Sequence, residues 1–228
     1  LRHVVVDWDA YGFRRGKNMF AYRPEEGKWK LLLWDMDMGL GASTESSNNC
    51  PITEVISSSM PVIARMTEHP PFQRYFLQAM YDAVNGPVRS SEYEPFIDEW
   101  HEKMQQSGVG AKDPSSVESW LAGRRSFILS SMATVINAQL AINNNGGSDF
   151  SISSNMVTLT GTAPVQAKEI FINGVSYALT WTTVTNWTAR VVLSAGTNSL
   201  VVQAYDSDGN LLSGLSDTIK VNYTGSNA

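Results

Sequence analysis

Four polar residues within 29 positions carry side chains suited to binding a metal ion or a phosphate group. They are Asp9, Asn18 and the pair Asp35 and Asp37, which follows the apolar run at residues 31–34. Carboxylate and amide oxygens suit a hard cation such as Mg²⁺, which usually keeps one or two carboxylates together with a bound phosphate. Acids at the mouth of a buried strand, with a glycine-containing loop beyond, favour a ligand site over a solvated turn.

A β-hairpin is the element that the sequence predicts to position these groups. Its arms are residues 17–22 and 28–34, and the polar turn at residues 23–27 contains the proline and glycine that suit turn geometry. We expect the arms to pair antiparallel with Tyr22 opposite Trp29.

This register would gather the polar side chains at the open end of the hairpin. Asn18 would face Leu33, and Asp35 would lie one diagonal step away on the same face, because side chains alternate with period two. Asp37 stays on that face if the strand continues. The plainer interpretation is a strand exit, since Asp and Asn often punctuate strands without binding a ligand.

The bulk composition excludes several classes of protein. The chain has 228 residues, with 17 basic and 22 acidic side chains, and its net charge of −5 argues against general nucleic-acid binding. No apolar run approaches the roughly 20 residues that span a bilayer. Cys50 is the single cysteine, so an intrachain disulfide is excluded, and the three histidines are scattered without metal-ligand spacing.

Helical periodicity fills the middle of the chain. It predicts helices over about 54–69, over 70–85, from Ser90 or Ser91 to about 107, and from Ser115 toward 140, where Ser115 and Glu118 have capping-box spacing. The aromatic and methionine residues at helical spacing are interpreted as core packing. Arg124 and Arg125 either bind buried acids or phosphate, or form ordinary surface pairs.

The composition changes after residues 143–148, an asparagine- and glycine-rich linker. Short alternating strands follow, among them residues 157–161, 188–193 and 199–205, with strong turn signals such as Asn173–Gly174. Their spacing indicates a β-sandwich of immunoglobulin type. We therefore expect an α+β fold, with a mostly helical domain and its hairpin at residues 1–142 and the sandwich at 149–228. Trp181 and Trp187 are either a sugar-binding platform or part of the sandwich core.

Three segments carry a resemblance to a known family. Residues 7–12, 16–22 and 28–37 read DWDAYG, GKNMFAY and KWKLLLWDMD, and together with the helical segment around residues 123–125 they resemble the CotH spore-coat kinase family. The resemblance covers residues 1 to about 140, and some bacterial CotH-like proteins continue into an immunoglobulin-like domain.

The resemblance implies a kinase-like C-terminal lobe of an atypical protein kinase, which transfers phosphate from ATP to protein hydroxyls with Mg²⁺ or Mn²⁺. Asp9 then corresponds to the catalytic-loop aspartate, and Asp35 to a metal-binding aspartate that is also catalytic. Asn18, Asp35 and Asp37 would bind the metal and, through it, the nucleotide. Phosphoryl transfer needs mainly such positioning and charge stabilisation from the protein. We expect a protein substrate and a location outside the cell or in the cell envelope.

Two other classes of function stay open. Asp9, Asp35 and Asp37 are also candidates for the acid–base pair of a secreted carbohydrate-active hydrolase, in which the carboxylate separation decides the stereochemistry. The other class is a non-catalytic adhesion or carbohydrate-binding module built on the sandwich, with a cell-surface polysaccharide as its partner.

The first residues, LRHVVV, predict that the chain opens in the middle of a strand and is a fragment of a longer protein. The glycine-rich loop and the lysine–glutamate pair that cover a nucleotide in kinases would then precede Leu1. We therefore expect this chain by itself to bind ATP weakly.

Overall fold

The computed structural model describes residues 1–13, 17–54 and 61–225, and the chain divides into two compact units. The first unit contains Leu1–Glu68 and Ala79–Met132, and the second contains His69–Gln78 and Ala133–Ala228. None of the helices in the described ranges is long and apolar enough to cross a membrane.

The first unit combines one hairpin with helices. The hairpin strands are β1 (Met19–Tyr22) and β2 (Lys30–Leu33). The helices of the chain are α1 (Pro61–Glu68), α2 (Pro70–Asn85), α3 (Ser90–Gln106), α4 (Ser115–Ser131) and the short α5 (Ala133–Ile136). The start of α2 and all of α5 belong to the second unit. Helices and sheets in one chain confirm the predicted α+β class.

The predicted helices α2 and α3 are confirmed, whereas the helix predicted from Ser115 toward residue 140 ends at Ser131, and its predicted capping is not found. Helix α4 has no side-chain bond from its N-cap, and the carboxylate Oδ1 of Asp113 instead accepts a hydrogen bond from the backbone N–H of Ser115 at 2.9 Å. A carboxylate before a helix satisfies one of the N–H groups that the first turn leaves without a partner. Of the helix predicted from residue 54, α1 is described, and residues 55–60 lie outside the described ranges.

The strand predicted at the beginning of the chain is wrong. Residues 2–6 form successive turns, in which the N–H of Val5 bonds to the carbonyl of Leu1 at 3.1 Å and that of Asp7 bonds to the carbonyl of Arg2 at 3.0 Å. Val4 and Val6 are buried nevertheless. The valine run therefore reports burial in the core, and β-branched residues in a short run do not by themselves specify a strand.

The second unit is a β-sandwich, whose immunoglobulin type stays a prediction. Its strands are β3 (Ala141–Ile142), β4 (Phe150–Ile152), β5 (Met156–Thr162), β6 (Glu169–Ile172), β7 (Val175–Ser176), β8 (Thr180–Trp181), β9 (Asn186–Val192), β10 (Gly196–Tyr205) and β11 (Leu211–Tyr223). One sheet has the order β4-β11-β10-β6-β7, and the other has the order β3-β5-β9-β8. The predicted turn at Asn173 and Gly174 joins β6 to β7 with positive φ at both residues, as two-residue hairpins require.

The inner faces of both sheets supply one hydrophobic core. Trp187 belongs to this core and is 1% exposed. Its indole N–H donates to the carbonyl of Thr162 at 3.0 Å. Gly161 makes this position possible, because a Cβ there would lie 2.4 Å from the Trp187 ring. Trp187 is therefore a core residue, which is the second of the two interpretations, and Trp181 is partly buried and packs against the same core.

Two segments outside the predicted sandwich limits contribute to this unit. Leu140 and Ile142 belong to the core cluster, and the N–H of Ile142 donates to the Asp217 carboxylate at 2.7 Å. From the start of α2, the buried Arg74 donates to the carbonyls of Pro164, Ala167 and Val184. Its partners are carbonyl groups, and burial lowers the pKa of Arg74 to about 9.

We expect a chain of residues 133–228 to be more stable than one of residues 148–228. The shorter chain loses Leu140 and Ile142, and full burial of one such aliphatic side chain is worth about 1.5–3 kcal/mol. Thermal melts of both chains by circular dichroism measure the difference. Equal melting temperatures would show that these two residues add nothing to the sandwich.

Candidate functional site

Asp9 is the best-positioned carboxylate among the residues predicted to do chemistry. It lies in a turn and is 5% exposed. Its Oδ2 accepts a hydrogen bond from Nδ2 of Asn18 at 3.0 Å, and Nζ of Lys17 lies 2.5 Å from the same oxygen. The Asn18 amide also donates to the backbone carbonyl of Asp9 at 3.2 Å. The structure therefore brings Asp9 and Asn18 together and places the ammonium group of Lys17 beside them.

Arg2 connects this region to the open end of the hairpin. Its guanidinium donates to the buried carboxylate of Asp7 and to the backbone carbonyls of Asn18 at 2.7 Å, Trp34 at 3.2 Å and Asp35 at 2.9 Å. Charge-assisted bonds from one rigid fork hold geometry better than neutral ones. Arg2 is therefore a positioning residue for the start of β1 and the end of β2, which together form the open end of the hairpin.

The backbone at the same place is in an uncommon conformation. Asn18 has φ +62° and Asp35 has φ +55°, in the left-handed region that Asn and Asp tolerate better than most residues. Such conformations persist where surrounding contacts hold them, and they cluster at functional sites. Arg2 donates hydrogen bonds to the carbonyl oxygens of both residues, and these bonds help to hold the conformation.

Asp35 and Asp37 form an exposed pair of carboxylates after β2. The pKa of Asp35 is raised above its ordinary value, mainly by the negative charge of Asp37, and then by partial desolvation and a hydrogen bond to Asp37. The charge of Lys17 acts in the opposite direction, and that of Asp9 adds a smaller rise. The four charged groups therefore influence one another, with the two acids repelling each other most.

The predicted register of the hairpin is wrong by one residue. Tyr22 pairs with Lys30, not Trp29, and Met19 pairs with Leu33, while the N–H of Trp34 donates to the carbonyl of Asn18 at 3.3 Å. The strands end at Tyr22 and begin again at Lys30, so the connection is longer than the predicted turn. Since a shift of one residue exchanges the two faces, the predicted diagonal placement of Asn18 and Asp35 does not hold.

The apolar run before Asp35 is exposed, which corrects the expectation of a buried strand. Phe20, Leu31, Leu32 and Trp34 are each more than half exposed. β1 and β2 form a two-stranded sheet, and no other strand in the described ranges pairs with them. A lone short hairpin has no second layer of its own to cover its side chains.

Asp35 and Asp37 fit a hard divalent cation, by the number and the chemistry of their groups. Mg²⁺ is ordinarily held by one or two carboxylates together with phosphate oxygens, and a cation would relieve the repulsion that raises the pKa of Asp35. Asn18 directs its Nδ2 toward Asp9. Within the described residues, no three His, Cys, Asp or Glu side chains form a group that could hold a metal ion.

Reasoning from the sequence missed Arg2 and Lys17. Lys17 directly precedes Asn18, and a cation beside a proposed phosphate site is a signal that could have identified it. Arg2 had no such signal, because three of its partners are backbone carbonyls, which any residue type provides.

Arg124 was expected to bind acids or phosphate, or to pair at the surface, and it does none of these. It is completely buried, and it donates to the carbonyls of Val4 at 2.9 Å, Asn48 at 3.2 Å and Cys50. Its neighbour Arg125 donates to the carbonyl of Val84 at 2.7 Å and to the side-chain oxygen of Asn85 at 3.3 Å. Both arginines on α4 therefore join segments of the first unit.

Comparison with known families of proteins gives a match over most of the first unit. A family model described as CotH kinase protein matches residues 1–127. None of the curated proteins matches the chain.

Solved structures of low identity also resemble parts of the chain. The fibronectin(III)-like modules of Clostridium thermocellum CbhA are 14% identical, with 39% of this chain and 100% of that chain covered and a TM-score of 0.29. The endo-beta-1,4-mannanase from Thermotoga petrophila is 10% identical, with 52% of this chain and 26% of that chain covered and a TM-score of 0.30.

Proposed function

Because this chain belongs to the CotH kinase protein family, we propose that it provides catalytic and metal-binding groups for phosphoryl transfer from ATP to protein hydroxyls. The observation that carries this proposal is the buried Asp9 carboxylate, which both Lys17 and Asn18 hold in place. Phosphoryl transfer requires an aspartate oriented toward the attacking hydroxyl and cations near the phosphates, and this cluster supplies both types of group.

Asp9 is the group that accepts the proton of the substrate hydroxyl. The hydroxyl oxygen forms a bond to the γ-phosphorus of ATP, the bond from that phosphorus to the bridging oxygen breaks, and ADP leaves. Asn18 fixes the orientation of the Asp9 carboxylate through two hydrogen bonds. The ammonium group of Lys17, with a half-exposed side chain, lies beside Asp9 and would supply positive charge to the phosphates.

Asp35 and Asp37 are the proposed ligands for Mg²⁺ or Mn²⁺, whereas the side-chain amide of Asn18 donates to Asp9. The bound ion would neutralise charge on the phosphate groups of ATP. Arg2 keeps the backbone carbonyls of residues 18 and 35 on one guanidinium, so it holds the end of β2 beside the start of β1. The open end of the hairpin is therefore the frame of the proposed site.

We expect Mn²⁺ to raise the melting temperature of the whole chain, and Asp35→Ala to remove this increment. An ion that binds the folded state alone stabilises it, by about 2.7 kcal/mol at 100 times its Kd. Thermal melts with and without millimolar Mn²⁺ measure the increment.

The matched control is Asp208→Ala, because Asp208 is an exposed acid in the sandwich unit. This variant should keep the full increment. If Mn²⁺ stabilises Asp35→Ala as much as the unmodified chain, the metal site lies elsewhere and the assignment of Asp35 is wrong.

A further inference from the structure

A groove on the second unit is separate from the proposed phosphoryl-transfer residues. One cleft of about 390 Å³ is lined by Pro71, Tyr75, Tyr177, Thr180 and Trp181, among others. A second cleft of about 440 Å³ shares Tyr177 and Thr180 with the first. Because the two clefts share these two lining residues, they are adjacent, and together they are called the groove. We propose that this groove binds a linear, uncharged polysaccharide.

Trp181 is a preorganised ring in the wall of this groove. The guanidinium carbon of Arg74 lies 3.5 Å from the centre of the Trp181 ring, and Arg74 itself is 2% exposed. The carbonyls of Pro164 and Ala167 fix Arg74 at 2.7 and 2.6 Å. A ring held in this way loses little conformational freedom when a ligand binds, and this lowers the entropic cost of binding.

The other aromatic side chains make the first cleft suitable for sugar rings. Tyr75, on the part of α2 that belongs to the second unit, is 68% exposed, and Tyr177 is half-buried between the two clefts. Aromatic rings present flat apolar faces, and the tyrosine hydroxyl adds a polar end. A pyranose ring has both features, with C–H groups on its faces and hydroxyls around its edge.

The polar side chains of the groove match the hydroxyl groups of such a ligand. Lys168 and Glu169 line the first cleft and carry opposite charges, so the cleft favours neither sign. Ser176 and Thr180 add hydroxyls, and the second cleft contains Thr158, Thr188 and Arg190. A groove of this kind offers donors and acceptors along its length, and a chain of sugar units can use them repeatedly.

A proline-rich peptide is the other extended ligand that docks on aromatic grooves. Such peptides use mainly apolar contacts with the aromatic walls. Here charged and hydroxyl side chains line both clefts in addition to the aromatic rings. This lining favours a ligand that has a hydrogen-bonding group at every unit, and therefore favours the polysaccharide.

Affinity electrophoresis of the whole chain in native gels tests the proposal. The gels contain galactomannan, xylan, mixed-linkage β-glucan or, as an acidic polymer, polygalacturonate, and a proline-rich peptide is titrated separately. We expect at least one uncharged polymer to retard the chain. Tyr75→Ala should weaken that apparent affinity by about 3- to 10-fold, as the loss of one aromatic contact predicts.

Phe72→Ala is the matched control, because Phe72 lies on the same helix, is 49% exposed and lines neither cleft. This variant should bind like the unmodified chain. Because Tyr75 is mostly exposed, its substitution leaves the fold intact, and a thermal melt verifies this. The proposal is overturned if no uncharged polymer retards the chain, if both variants lose affinity equally, or if the acidic polymer or the peptide alone binds.

Discussion

Asp9→Asn is expected to lower the rate of phosphoryl transfer from ATP to a serine-containing acceptor protein by about 10²- to 10⁴-fold, the usual contribution of a positioned acid or base. Asparagine has nearly the same size as aspartate, but it removes the negative charge that pairs with Lys17 and the oxygen that accepts a proton. Transfer of radiolabelled phosphate to casein in the presence of Mn²⁺ measures the rate.

The control for this variant is Asp208→Asn, which changes the same chemical group at an exposed position of the sandwich unit. Its transfer rate should equal that of the unmodified chain. Transfer by Asp9→Asn at the normal rate would refute the role of Asp9, and an unmodified chain without transfer at millimolar ATP would refute the activity of this chain by itself. Release of reducing sugars from a polysaccharide, dependent on Asp9 or Asp35, would support the hydrolase alternative instead.

Arg124→Met is expected to destabilise the first unit by about 2–4 kcal/mol, because buried carbonyls lose a charged donor and each unsatisfied group costs about 1–3 kcal/mol. Burial lowers the pKa of Arg124 to about 10, which shows that the site already disfavours its charge. Methionine fills much of the same volume, so the loss reports mainly the hydrogen bonds to Val4, Asn48 and Cys50. Typical domains have only about 5–15 kcal/mol of stability.

Urea denaturation combined with hydrogen exchange in α4 locates and measures this loss. Arg125→Met is the matched control, since this neighbouring side chain is half-buried and makes two hydrogen bonds to the C-terminal end of α2. We expect it to cost about 1 kcal/mol. Equal losses in the two variants would show that the buried carbonyl contacts of Arg124 carry no special weight.

The effect of Arg124 should extend to the proposed catalytic residue. Its Nε bonds to the carbonyl of Val4, five residues before Asp9 in the chain. The turn that follows Val4 carries both Asp7, which Arg2 binds, and Asp9. A loosened Val4 segment therefore predicts slower phosphoryl transfer in Arg124→Met even under conditions where the chain remains folded.

The sequence alone determined where most helices and strands lie. Apolar residues at helical spacing, together with Pro70 and the Asn85–Gly86–Pro87 stop, predicted α2, and period-two alternation predicted β5, β9 and β10. These patterns are local, so they can be read without knowing what packs against them. The resemblance of their segments to one family named both Asp9 and Asn18 as site residues, but the sequence grouped Asn18 with Asp35 and Asp37, and only the structure shows its bonds to Asp9.

The tertiary structure alone decided the register of the hairpin and the partners of the arginines. A hairpin register depends on where its connection closes, and a difference of one residue exchanges the faces that a period-two pattern assigns. Arg2, Arg74 and Arg124 bind backbone carbonyls, in most cases far away in the chain. Since every residue has a carbonyl, no residue type marks such a partner in advance, and only the folded chain brings the two groups together.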